Sequence, residues 1–206
     1  MNMFKEILEF IYFLSGPALV FMAYKALEQI KVTRDIAKIN SKRESFQITA
    51  QECRHYSQNI IPLLDTLDKK IEELDVQIIT KSKVIITDRK IEIKPFFDYD
   101  HYDESIEQLT PYLVKASNAI SDFATFFISG IADESLAYRS LGRTYCNTIK
   151  QLAPLLIPLC QNNDDDVMTL FFIWNNRNEK QAALAEKKKI EKKLKDSSDV
   201  YIKPIG

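Results

Sequence analysis

From Phe10 to Tyr24 the chain reads FIYFLSGPALVFMAY, an uncharged run that constrains the fold more than any other feature. Ile7 and Leu8 extend it past Glu9, and Lys25 at the far end can keep its ammonium in water while its stem lies on apolar surface. At about 1.5 Å per residue, a helix from Ile7 across this stretch spans roughly 27 Å, close to the ~30 Å hydrocarbon core of a bilayer. Glu9 near the edge and Pro17 in the middle work against a span, although transmembrane helices tolerate proline better than soluble ones. A buried core helix and a cleaved signal peptide are the competing readings. The second wants charge ahead of the run and a small-residue cleavage site behind it. Met1–Lys5 offers one lysine against Glu6, and no A-x-A pattern follows. The expectation is a transmembrane anchor over 7–25.

Flanking charge gives that anchor a direction. Lys25, Lys31, Arg34, Lys38, Lys42 and Arg43 follow the run, while only Lys5 precedes it. The positive-inside rule then places the remainder in the cytoplasm, with membrane lipid as an expected partner. Cys53, Cys146 and Cys160 are odd in number and form no CxxC pair, which reads as reduced cytosolic thiols and not as a disulfide framework or zinc site.

Hydrophobic residues make up 46% of the chain, enough for a core, and a net charge of −1 supplies no global field for nucleic acid. Glycine occurs only at Gly16, Gly130, Gly142 and Gly206, as suits long helices with few tight turns. Stepping by four and three from Val32 gives Ile36, Ile39, Arg43, Phe46, Ala50, Cys53, Ser57, Ile60, Leu64, Leu67, Ile71, Leu74 and Ile78, broken only by Arg43 and Ser57. That is the seam of a helix packed against another helix, within the chain or between chains. Pro62 must kink or divide it, which predicts one helix to about Asn59 and another from near Ile61.

KVIIT and IEI around Asp88-Arg89-Lys90 predict a small hairpin over 83–93, and Pro95–Glu104 an irregular connection. Thr110 and Pro111 suit an N-cap and first helical position, with Leu113, Ala116, Ile120, Phe123 and Phe127 inward and Gly130 as the stop. Asp133 can cap the next helix, whose inner face is Leu136, Leu141, Tyr145, Ile149, Leu152 and Leu156, and which Pro154 and Pro158 bend or end. Asn162–Asp166 predicts a turn with acids at a helix start, where the macrodipole favours them. Val167, Leu170, Phe171 and Trp174 dock that helix. Beyond Arg177 it turns polar on nearly all sides, and 196–206 reads as a loose tail.

Catalytic signals are scarce. Neither GxGxxG, a Walker motif nor G-x-S-x-G can be drawn, and His55 and His101 are the only histidines. Asp98, Asp100, His101, Asp103 and Glu104 offer oxygen and imidazole ligands for a divalent ion, but without the EF-hand's glycine and closing glutamate; a solvated acidic connection is the plainer reading. Asp164-Asp165-Asp166 reads as a helix start. Cys53 and His55, two apart, fall on different faces, which leaves Cys53 a small core residue and His55 a surface or interface histidine. Arg43 reads as a register-setting polar group wanting an acidic partner. Lys25, Lys31 and Arg34, with Lys187, Lys188, Lys189, Lys192 and Lys193, are candidate contacts to anionic lipid, at about 1 kcal/mol each near the surface, against the plainer reading of solvated helix. No aromatic side chain lies within the lysine run for base stacking, which weighs against nucleic acid. No cofactor, metal or catalysis is expected.

The chain resembles a bacterial family of short, N-terminally anchored helical proteins classed only as a domain of unknown function. The likeness lies in an N-terminal span running into AYKALEQIKVTRDIAKINSKRESFQIT, then NAISDFATFFISGIADESLAYRSLGRTYCNTIKQLAPLL, then VMTLFFIWNN, and covers Ala23–Asn59 and Asn118–Asn176. Lys83–Glu104 has no counterpart in it. The resemblance implies a helical, membrane-associated, bacterial protein, with the inner membrane as the expected site, and brings no catalytic residues.

The resulting expectation is a mainly α protein: the anchor over 7–25, then a cytoplasmic domain over 26–195. Its parts are a long helix pair at 26–80, a hairpin or loop at 81–104, an antiparallel bundle at 105–178 and a protruding Lys-rich helix at 179–195. Its function reads as a tethered interaction or scaffold module, binding a protein partner or itself through Ile36, Ile39, Arg43, Phe46, Ile60, Leu64, Leu67 and Ile71. The alternative is a membrane-acting effector of a bacterial defence or toxin system, motivated by Glu9 and Pro17; a metal-dependent enzyme on Asp98–Glu104 comes third.

Overall fold

The computed structural model describes residues 2–76, 81–87, 90–94, 104–157 and 165–197, and the chain in it is mainly α-helical. The order is α1 (Asn2–His55), a π-helical turn (Tyr56–Ile60), α2 (Ile61–Glu73), β1 (Lys83–Thr87), β2 (Lys90–Lys94), α3 (Glu104–Ile128), α4 (Glu134–Leu156) and α5 (Asp166–Ser197). The chain divides into two compact units, 1–47 and 48–206.

The first unit is helix alone. Pro17 lies inside α1 without ending it. Ser15 donates its hydroxyl to the carbonyl of Tyr12 at 2.7 Å, so this serine of the apolar stretch is satisfied within the helix. Lys25 and Glu28 pair at 2.8 Å where the uncharged run ends.

The second unit holds the core. Trp174, Tyr56, Tyr145 and Phe123 are all buried at its centre. Phe123 lies 4.7 Å from Tyr56 and Tyr145 lies 5.1 Å from Trp174 between ring centroids, the tilted and edge-on contacts that aromatic quadrupoles favour. Leu113, Ala116, Ile120, Phe123 and Phe127 supply the buried face of α3, as their spacing predicts. Gly130 stops that helix in the left-handed region at φ 74°, its N–H reaching the carbonyl of Phe127. Asp133 caps α4 by accepting from the N–H of Leu136 at 2.9 Å, and Asp165 accepts from the N–H of Val167 at the start of α5. The hairpin is antiparallel, with Val84 opposite Ile93 and Ile86 opposite Ile91 on the face turned to the core.

Three expectations change. Pro111 does not start a helix but lies inside α3, which begins at Glu104. Its missing N–H would have met the carbonyl of Glu107 on an exposed side, where water can take that carbonyl instead, and Thr110 donates its hydroxyl to Ile106 O at 2.8 Å. The tail reading is two residues too long, because α5 includes Asp196 and Ser197. The third concerns the phase of the long stripe. Upstream of Ile60 the inward positions are Thr49 and Tyr56, both buried, and not Ala50 and Ser57, which are exposed. The cause is the π turn: Ile61 N–H reaches back to Tyr56 O, one residue further than an α-helix allows, and the inserted residue rotates the faces on either side. Pro62, at the start of α2 and unable to donate, is the local reason for the disturbance.

Candidate functional site

The long helix carries the strongest departure from a soluble fold. Within it, an 18-residue window has a mean hydropathy of 1.6, and none of that window is buried. Phe13 is 79% exposed and Phe21 63%, a degree of exposure that isolated surface apolar residues do not sum to over so long a run. One described helix is therefore long and apolar enough to cross a membrane, by length and composition.

Exposed apolar residues continue past Lys25. Val32, Ile36, Ile39 and Phe46 all face solvent, as does Arg43 between them, and Lys42 sits over the Phe46 ring at 5.6 Å. The other half of the candidate stripe behaves differently. Ile60, Leu64, Leu67 and Ile71 are buried in the second unit's core. They are thus corrected from candidate partner contacts to the chain's own packing, because the π turn and α2 set them against α3. The single seam of the sequence is two surfaces, one filled and one open.

The basic candidates divide likewise by position along the chain. Lys25, Lys31 and Arg34 are exposed on α1. Every residue from Glu179 to Lys195 on α5 is exposed, Lys187, Lys188, Lys189, Lys192 and Lys193 among them, and Lys187 is 3.9 Å from Glu191.

Asp98, Asp100, His101 and Asp103 lie outside the described residues, as does the side chain of Glu104. Among the described residues no group of three His, Cys, Asp or Glu could hold a metal ion. Asp166 accepts from Thr125 Oγ1 at 2.8 Å, tying α5 to α3. Cys53 is half-buried, and burial followed by the charge of Glu52 pushes its thiol up. His55 is exposed, with Asn59 Nδ2 at 3.0 Å from its Nδ1. Cys146 is buried, its thiol pushed up to about 11 by desolvation against smaller opposing pulls from Lys150 and Asn178. A thiol held in its protonated form is a poor nucleophile.

Sequence reasoning missed a groove of about 630 Å³ lined by Glu52, His55, Asp122, Phe126 and Ile131 with Thr125 and Ser129. Neither hydroxyl there is a poised nucleophile: the single proton of Thr125 is shared between Asp166 and the carbonyl of Ser121, and Ser129 donates to the carbonyl of Phe126. Residues from α1, α3 and the following turn build it, and only the fold brings them together.

Against known proteins, no family model, curated protein or solved structure matches this chain.

Proposed function

We propose that this protein is a membrane-tethered helical interaction module, held at a bacterial inner membrane by residues 7–25 with the second unit on the cytoplasmic side. The observation that carries the reading is the apolar window in which no residue is buried. In water, each fully exposed large apolar side chain forgoes about 1.5–3 kcal/mol of burial, and lipid offers that burial to all of them at once. Six basic residues within 25–43, against one lysine before the run, support the orientation. The resemblance to anchored helical bacterial proteins supports the setting.

The test is fractionation of full-length protein. It should pellet with membranes, resist a carbonate wash and enter solution with detergent. Recovery in the supernatant of a detergent-free lysate would overturn the reading.

A second reading, a membrane-acting effector, draws on Glu9, an exposed carboxylate among apolar neighbours on α1. Such a group inside hydrocarbon is costly and serves ion or proton paths more often than anchoring. Induction would then collapse the membrane potential, and Glu9→Gln would restore it; a tethered module leaves both potential and growth unchanged.

A further inference from the structure

We infer that the open stripe Val32, Ile36, Ile39 and Phe46 is covered by the same stripe of a second copy of this chain, the two helices lying parallel and in register. The inference rests on the tethered reading above and names its partner.

Lipid does not reach this stripe. Between Ala18 and His55, α1 contains no proline, glycine or π turn, so nothing bends it where a span would end at Lys25. At about 1.5 Å per residue, Ile36 stands ~16 Å and Phe46 ~32 Å beyond Lys25 along the axis, clear of the acyl chains. Yet the four side chains remain 40% to 53% exposed. Apolar residues at alternating spacings of four and three, standing in water, define a helix-pairing seam.

The flanks say which helix fits. Glu28, Asp35 and Lys42 repeat along one side of the seam, and Thr33, Asn40 and Gln47 along the other. In a parallel in-register pair, each member of the first set meets the residue five further on in the other copy: Glu28 meets Thr33, Asp35 meets Asn40 and Lys42 meets Gln47. Each pairing sets a charge against a neutral hydrogen-bonding side chain, and no like charges meet along the flanks. A stripe that satisfies itself under a two-fold axis suits an isologous dimer. Two anchors in one bilayer impose the parallel sense and raise the effective concentration of each stripe for the other. Arg43 is the exception inside the seam. Facing its own copy, it weakens the pair and fixes the register, so the association is reversible.

Full-length Ile36→Cys, Ile39→Cys and Ser41→Cys proteins, oxidised mildly in membranes, test this. Each disulfide joins two thiols, whose two electrons and two protons pass to the added oxidant. Ile36→Cys and Ile39→Cys should give dimer several-fold above the parent protein with its native cysteines, while Ser41→Cys, on the opposite side of the helix, should match the parent. Adding Arg43→Leu should raise the dimer yield of Ile36→Cys. Equal yields at all three positions, or none above the parent, would overturn the pairing. Flotation of the same samples separates the two ideas: protein that floats without cross-linking keeps the tether and loses the dimer, and protein that cross-links without floating does the reverse.

Discussion

Arg177 closes on Glu134 with both arms of its guanidinium, Nη1 2.7 Å from Oε1 and Nη2 2.9 Å from Oε2. The same Oε1 accepts from the indole Nε1 of Trp174, so one carboxylate in the first turn of α4 ties two residues of α5 that sit on one helical face. Arg177 also lies over the Tyr138 ring at 5.3 Å, and Tyr138 donates its hydroxyl to Asn178 at 3.0 Å. With the Arg177 side chain 41% exposed, solvent takes back part of the ion pair, but the indole is buried and has no such recourse.

Glu134→Ala should therefore cost about 2 kcal/mol, mostly from the stranded indole and the lost bidentate bond. Trp174 is the sole tryptophan, so its emission during urea unfolding of detergent-solubilised protein reads the change directly. Arg177→Lys should cost less, since it leaves the indole bond in place. An unfolding midpoint that does not move in Glu134→Ala would refute the account.

Thr49 is fully buried and its hydroxyl oxygen accepts from the backbone N–H of Asp133 at 2.7 Å. Thr49→Val keeps the shape and strands that donor, for a loss of roughly 1 kcal/mol or more, while Thr49→Ser should recover most of it. Thr49→Val as stable as the parent protein would show that the bond contributes nothing.

Gly142 is small because Tyr138 needs the space. A Cβ there would stand 2.4 Å from Tyr138 Cδ2. The ring is hemmed by Trp174, 6.0 Å away, and by Arg177, so it cannot yield cheaply. Gly142→Ala should destabilise by about 1–3 kcal/mol even though alanine is the better helix former. A raised melting temperature would contradict the crowding argument.

The second unit should weaken in alkali. Cys146 ionises at the ordinary 9.0 when unfolded but near 11 when folded, so between those values the unfolded chain has released a proton that the native chain still binds. Stability is then complete below pH 9 and falls as pH rises toward 11, by about 2–3 kcal/mol at the limit. Tyr56, raised by burial to about 12 from 10.0, extends the decline to higher pH. Cys146→Ala should flatten the first part of the curve of unfolding midpoint against pH. An unchanged slope between pH 9 and 11 would sink this assignment.

Much of this was legible in the residues because the signals are local. Asp133 as a cap, Gly130 as a stop and the apolar spacing of α3 each act within a turn or two of chain. The hairpin was readable for the same reason. The stripe was readable only as a period: Ser57 looked like a flaw in it, whereas the π turn had moved Tyr56 into that place. No single-residue pattern announces a slip of that kind, though Pro62 marks its neighbourhood. Glu134, Trp174 and Arg177 were invisible as a set, since 40 and 43 residues separate the partners and only packing introduces them. The groove beside His55 was hidden on the same grounds.

The two-stranded hairpin leaves an unpaired edge on each strand among the described residues, an open invitation to a further strand. Lys83 and Lys94 stand directly opposite each other, while Lys90, opposite Thr87 at the other end of the ladder, pairs with Glu92 at 3.0 Å. Like charges placed so cost some stability, and they would burden any strand laid along either border. The ribbon is therefore guarded against stacking into larger sheets, so its open borders do not by themselves make it a seed for fibrils.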